Sequence, residues 1–382
     1  LIQRLTRLYT TLGVLLLNTL LLLLVIEGCS ALMLASRAQP TLAQRIEAFK
    51  GQMLALSYYQ QVDWARGYWD EHMQVADRWS YQAYTVWRTN PFHGQYINVD
   101  DAGRRLTTAS ICAEESYRIY TFGGSTMWGY GVPDDNTIPS YLQAALPANV
   151  CVVNYADVGF NSTQNLLRLL GLLQRGDVPD MVIFYDGSND ITTAQRTSEA
   201  GTHFYEPQIS TVVNGTLVEP DARAANPFVD WLRTTATYRL LVTPPAASET
   251  WAQPPFDDGF VDGIVQTYLT NVQAAHALSV EYGFRFFAFV QPALPLVERD
   301  YTEEEQRFIW DTPGGLVDLF REVYPRLREA APDEMTYFAN ILDEQPQLIW
   351  IDFNHLTAWG NLAVATEILG VIEPAFDLAR EE

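Results

Sequence analysis

The hydrophobic pattern of this chain has two regimes. Residues 12–35 are almost all apolar, interrupted mainly by Asn18 and Glu27. At ~1.5 Å per residue a helix there reaches roughly 36 Å, enough to cross a bilayer core of ~30 Å. A helix is the only structure that a single lipid-exposed segment can adopt in hydrocarbon. From about residue 110 onward, short apolar runs alternate with stretches of helical period. Residues 118–122, 150–155, 181–185, 284–290 and 348–351 read as strands. Residues 138–146, 162–173, 261–282 and 362–369 read as helices. Pro139 suits a first helical turn, Asn161 or Ser162 an N-cap, and Gly283 a helix end. Strands alternating with helices predict a parallel sheet covered on both faces.

Between these regimes, residues 40–90 read as helical, with Tyr58, Tyr59, Trp64, Tyr68, Trp69, Trp79, Tyr84 and Trp87 at mixed spacing. Such aromatics suit a stalk packed on the main domain; a sugar-binding surface is the sharper alternative. Residues 91–110 carry turn formers around a short 96–99 run and predict a hairpin. Residues 195–260 break the βα rhythm, with one helical stretch at 231–242. An insertion of that length suits a lid or substrate wall. The expected organisation is an N-terminus and single anchor over 1–37, a helical stalk and hairpin over 38–110, and an α/β domain over 111–382 interrupted at about 195–260.

Composition narrows the picture. The 382 residues are 48% hydrophobic and 18% charged, which suits a globular chain with an apolar anchor and not a disordered one. A net charge of −22 excludes non-specific nucleic-acid binding, which needs cations to neutralise phosphates. Arg4 and Arg7 before the apolar run place the N-terminus in the cytoplasm and the rest outside, with Arg37, Arg45 and Lys50 weighing against. A cleaved signal peptide would have a shorter apolar region, and Glu27-Gly28 is a poor context for lipoprotein cleavage at Cys29. Glu27 either reaches the interface or marks a partner helix in a membrane assembly. Cys112 lies just before one expected strand and Cys151 within the next; if those strands are neighbours the two are either bridged in an oxidising compartment or buried thiols. No cysteine or histidine spacing suggests a metal site, and no cofactor is expected. Asn214-Gly215-Thr216 matches a glycosylation acceptor.

The chemistry lies in four segments. Gly123-Gly124-Ser125-Thr126 follows the first strand of the βα series, Gly159 and Asn161 the second, and Gly187-Ser188-Asn189-Asp190 the third. Asp352-Phe353-Asn354-His355 follows the last. Sites in open α/β sheets form beyond the carboxyl ends of strands. Ser125 is the candidate nucleophile, and its own N–H an oxyanion donor. Gly159 offers a second N–H and Asn189 a side-chain amide. His355 is the candidate base, and Asp352 the group that orients it. Taken singly, each segment is ordinary turn chemistry.

The GGST, GFNS, GSND and DFNH series resembles the SGNH, or GDSL-type, hydrolase superfamily, over about residues 90–375. The resemblance also takes in Val290-Gln291-Pro292 and the Leu356–Asn361 segment. It implies a flavodoxin-like three-layer sandwich with about five parallel strands and metal-free ester hydrolysis by Ser125, His355 and Asp352, with Ser125, Gly159 and Asn189 as the oxyanion hole. One departure is Gly123-Gly124-Ser125 in place of the common Gly-Asp-Ser. The expected substrate is an ester, most plausibly O-acetyl, of an envelope carbohydrate or lipid. The alternatives are an O-acyltransferase with the same site and a non-catalytic subunit of a membrane complex that retains the fold.

Overall fold

A computed structural model describes residues 2–36, 40–76, 78–214, 227–242, 252–345 and 348–378. In chain order it contains α1 (Ile2–Ser36), α2 (Leu42–Leu54), α3 (Ala65–Val75), the hairpin β1 (Trp79–Gln82) and β2 (Val86–Thr89), and the hairpin β3 (Phe92–His93) and β4 (Asn98–Val99). The α/β series is β5 (Tyr117–Gly123), α4 (Ser125–Trp128), α5 (Ile138–Ala145), β6 (Val150–Asn154), α6 (Ser162–Leu173), β7 (Met181–Asp186) and α7 (Ser188–Thr197). Three helices follow: α8 (Glu206–Val213), α9 (Pro227–Thr234) and α10 (Ala236–Leu241). The chain then runs through α11 (Asp258–Tyr282), β8 (Arg285–Val290), α12 (Glu303–Asp311), α13 (Leu316–Glu329), β9 (Met335–Tyr337) and α14 (Ala358–Leu378).

The five-stranded sheet has the order β6-β5-β7-β8-β9, and every pair in it is parallel. Counted within the sheet this is 2-1-3-4-5, the flavodoxin-like doubly wound order. Every residue of β7, the central strand, is buried. Its side chains alternate between two cores, as a pleat of period two requires. Met181, Ile183 and Tyr185 join Ile138, Leu142, Ile368 and Ile372 of α5 and α14. Val182 and Phe184 join Leu169, Ile264, Tyr268 and Phe320 of α6, α11 and α13. The expected three-layer architecture is therefore present.

Two expectations about elements are corrected. The helical reading of 40–90 ends in α3; Trp79 and Trp87 lie on a β-hairpin. The fifth strand is β9, not 348–351. Ile349, Trp350 and Ile351 are apolar because they fill the core, and a short apolar run does not distinguish sheet pairing from other burial. The segment instead doubles back on itself: Ile351 N–H donates to His355 O at 3.0 Å and Thr357 N–H to Ile349 O at 2.8 Å. The 231–242 helical stretch is divided between α9 and α10: Thr235 N–H donates to Leu232 O at the end of α9, and Thr235 Oγ1 caps α10 by accepting from Tyr238 N–H.

The chain divides into two compact units. One comprises Ile46–Pro207 and Trp251–Glu382. It includes α3 and both hairpins; Tyr58 and Tyr59, just before α3, and Tyr68 and Trp69 on it are buried with the sheet residues. The other comprises Leu1–Arg45 and Gln208–Thr250. In it Glu27 of α1 accepts hydrogen bonds at the N-terminus of α10, from Ala236 N–H, from Thr237 N–H at 3.0 Å and from Thr237 Oγ1 at 2.7 Å. The boundary expected near residue 37 and the last two residues of the Asn214 acceptor lie outside the described residues.

Cys112 and Cys151 form a disulfide, 39 residues apart in sequence. Closing a loop of that length restricts the unfolded chain by about 4 kcal/mol in the chain-entropy model. Cys112→Ser with Cys151→Ser is therefore expected to lower unfolding stability by about 2–4 kcal/mol, read as a shifted urea midpoint.

Candidate active site

Ser125 opens α4 directly after β5, with Gly124 in extended backbone as the N-cap. Gly124 has no room for a side chain. A Cβ there would lie 2.2 Å from Asn189 Nδ2 and 2.9 Å from Phe160 O. The strand ends are thus packed backbone to backbone, and the three loops close on one point. Asn189 Nδ2 donates to Phe160 O at 2.8 Å, which fixes the amide and leaves its second hydrogen for another acceptor. Gly159, beside Phe160, has φ +79°, a conformation that glycine adopts without steric cost.

The histidine arrives from the far end of the chain. His355 Nε2 lies 2.6 Å from Ser125 Oγ, and its Nδ1 lies 2.6 Å from Asp352 Oδ2. With the Nδ1 proton on the carboxylate side, Nε2 is free to accept from the serine hydroxyl. The second Asp352 oxygen accepts from Asn354 N–H at 2.9 Å and His355 N–H at 2.7 Å. Burial opposes charge on Asp352, but the adjacent imidazole and these hydrogen bonds outweigh it and hold the carboxyl below its ordinary range. The doubled-back 349–357 segment delivers both side chains as one rigid turn.

Several supporting residues carry no clear sign in the sequence. Tyr130 sets its ring 4.3 Å from the His355 ring, and its N–H donates to Ser125 O at 2.9 Å. Asn354 Nδ2 donates to Ser188 Oγ at 3.1 Å, tying the histidine turn to the turn that carries Asn189. The buried Arg105 pairs with Asp134 at 2.9 Å and donates to Gly129 O and Val132 O, which fixes the loop after α4. Asp157 accepts from Thr89 N–H and Oγ1 at 3.1 and 2.6 Å, and Trp87 Nε1 donates to Val158 O at 3.0 Å. These bonds bind β2 to the loop before Gly159. Each of these residues reads from sequence as core or turn, because its partners are tens of residues away.

Below Asn189, Asp186 and Asp190 are buried together. Burial raises both carboxyls, and the charge of Asp190 raises Asp186 further. Ser162 and Asn165 of α6 bond them, so the pair locks α6 to the Asn189 turn. His203 lies in the 195–260 insertion, where an exposed loop side chain is the ordinary expectation and a pocket-lining one the alternative. Its side chain is instead largely covered, 3.4 Å from Glu206 and packed against the Trp87 ring. Among the described residues no group of three or more His, Cys, Asp or Glu is placed to hold a metal ion.

No protein-family model matches the sequence, and no curated protein does. Solved structures are similar in fold. A member of the lipolytic protein G-D-S-L family from Veillonella parvula DSM 2008 is 15% identical, covers 67% of this chain and 98% of its own, and has a TM-score of 0.37. A carbohydrate acetylesterase family member from Sinorhizobium meliloti is 17% identical, with 67% and 96% covered and a TM-score of 0.37. The psychrotrophic esterase EstA from Pseudoalteromonas sp. is 14% identical, with 69% and 100% covered and a TM-score of 0.35.

Two tests follow from this geometry. His72 is buried against Tyr68, Trp69 and Tyr130, and burial, with the Arg105 and His355 charges, pushes its pKa down to about 3. The unfolded chain takes up that proton from about pH 6.5 downward. The His72 contribution is therefore intact above about pH 6.5 and is lost at about 1.4 kcal/mol per pH unit as pH falls toward 3. Urea midpoints across this window should make the parent and His72→Phe differ by that slope. In addition, Asn189→Ala should leave the fold intact and reduce kcat on an activated ester about 10²–10³-fold.

Proposed function

We propose that this chain is a membrane-anchored serine ester hydrolase of the SGNH kind, working outside the cytoplasm on O-acyl groups of a carbohydrate or lipid. One observation carries the reading: Ser125 Oγ, His355 and Asp352 form a continuous relay with both hydrogen bonds at 2.6 Å. Ser125 Oγ attacks the ester carbonyl carbon while His355 Nε2 accepts the hydroxyl proton. The charge on the carbonyl oxygen is met by the N–H groups of Ser125 and Gly159 and by the Asn189 amide. Collapse of the tetrahedral species breaks the carbon–alkoxy bond, and His355 returns the proton to the leaving alcohol. A water then attacks the acyl-serine, giving its proton to His355, and the carboxylic acid leaves with Ser125 regenerated. Asp352 stays ionised throughout and stabilises the imidazolium.

The acyl group is inferred to be short. A Cβ at Gly159 would lie 3.2 Å from the Phe204 ring and 3.4 Å from the Trp87 ring, so aromatic side chains crowd the Gly159 turn. This favours acetyl over long chains. The anchoring rests on α1, a 35-residue helix long and apolar enough to cross a membrane, with Arg4 and Arg7 at its start.

A fluorophosphonate probe is expected to label the full chain at Ser125 and not to label Ser125→Ala. Asp352→Asn should keep the fold and lose about 10⁴ in kcat, since the imidazole would hold the wrong tautomer. On p-nitrophenyl esters, kcat/KM should fall at least tenfold from acetate to octanoate. A folded protein that neither labels nor turns over would exclude the enzyme reading.

A further inference from the structure

The helices α9 and α10 have no part in the ester chemistry, yet α1 holds them in a defined place. Along α1 the apolar side chains from Leu12 to Val25 are exposed, whereas Ser30 is buried and Glu27 and Leu34 are partly covered. These three residues share one stripe, at spacings of three and four. The N-terminus of α10 lies on that stripe. Thr237 Oγ1 bonds both Glu27 and Ser30, at 2.7 and 3.2 Å. A carboxylate in an apolar helix is costly in lipid unless it is bonded, and here backbone N–H groups at a helix N-terminus meet it.

The depth of this junction follows from the helix rise. Glu27 lies twenty residues after Arg7, or about 30 Å along the axis, which is the thickness of the hydrocarbon core. With Arg7 at the inner boundary, Glu27 sits at the outer one. The residues brought to that level have the chemistry of an interface. On α9, Phe228, Trp231 and Leu232 fall at i, i+3 and i+4, and the two aromatic rings pack 5.8 Å apart. Phe228 is 65% exposed and Trp231 58%, while Leu241 and Val242 at the end of α10 are 76% and 52% exposed. Large apolar groups so exposed are unfavourable in water, but tryptophan and phenylalanine are suited to the headgroup–acyl boundary.

We infer that α9 and α10 form a membrane-interface hairpin: Phe228, Trp231, Leu232 and Leu241 seat in the outer lipid boundary, at a depth that Glu27 of the anchor fixes. The inference rests on α1 spanning the bilayer. The partner is lipid and not a protein surface, because the apolar face is continuous with an anchor whose own side chains are exposed at the same level.

The test uses the full chain with Cys29→Ser, so that the remaining cysteines are paired. A single cysteine is placed by Trp231→Cys, Leu241→Cys or Leu16→Cys, labelled with an environment-sensitive nitrobenzoxadiazole dye and reconstituted in phosphatidylcholine–phosphatidylglycerol vesicles. Dye at 231 and 241 should emit blue-shifted, with intensity raised several-fold, and be quenched more by lipids brominated near the headgroup than by lipids brominated near the chain end. Dye at 16 should show the reverse depth order. Adding Glu27→Leu should at least halve the lipid quenching at 231, whereas Glu27→Gln, which keeps an acceptor, should retain most of it. Water-like emission at 231 and 241, quenched by iodide and not by bromolipid, would overturn the hairpin while dye at 16 still reports the anchor. Blue-shifted emission without bromolipid quenching would mean that protein covers the face, and would also overturn it. Absence of lipid quenching at 16 would remove the anchor and this inference together.

Discussion

The site depends on a space too small for one carbon atom. Between Asn189 Nδ2 and Phe160 O there is room for the backbone of Gly124 and nothing more. That close pass brings the ends of three parallel strands within hydrogen-bond reach of one another. It also explains Gly-Gly-Ser as a packing requirement: a side chain at either glycine would push Ser125 away from the Asn189 turn. Gly123 is equally confined, since a Cβ there would meet Tyr185 O and Met127 Cβ at 2.6 Å. Parallel pairing supplies the convergence. In register, Gly123 stands beside Tyr185, and so the serine turn and the asparagine turn leave the sheet at the same level.

The histidine reaches this point by a different device. It does not leave the end of a sheet strand. Its turn is held by a chain reversal over 349–357 whose apolar residues are pinned in the core, and by Asn354 bonded to Ser188. Burial of Ile349, Trp350 and Ile351 therefore does for His355 what strand pairing does for Ser125. Tyr130 completes the arrangement, since one residue both packs on the imidazole and bonds the carbonyl of Ser125.

The segment before the sheet contributes more than a spacer. Through Thr89–Asp157 and Trp87–Val158 it braces the loop that presents Gly159, and its aromatics Tyr59, Tyr68 and Trp69 fill the core beneath the Ser125 loop. The buried Arg105 shows the same logic. A charge so deep is retained because its carboxylate and carbonyl partners are all supplied, and those partners are the loop that follows Ser125.

The sequence alone determined the βα rhythm, the anchor-length apolar run and the candidate set of Ser125, Gly159, Asn189, Asp352 and His355. Each of these is written locally, as a period, a length or a turn of glycines and polar residues after an apolar strand. Tertiary structure decided what depends on distant partners. It moved the fifth strand from 348–351 to β9, because burial and sheet pairing give the same apolar run. It turned the end of the helical reading into a hairpin, since the aromatics there are partitioned by what they pack against. It gave Glu27 a partner 209 residues away, and it set Tyr130 on the imidazole. Local chemistry fixes which residues can act; only the packed chain fixes which of them meet.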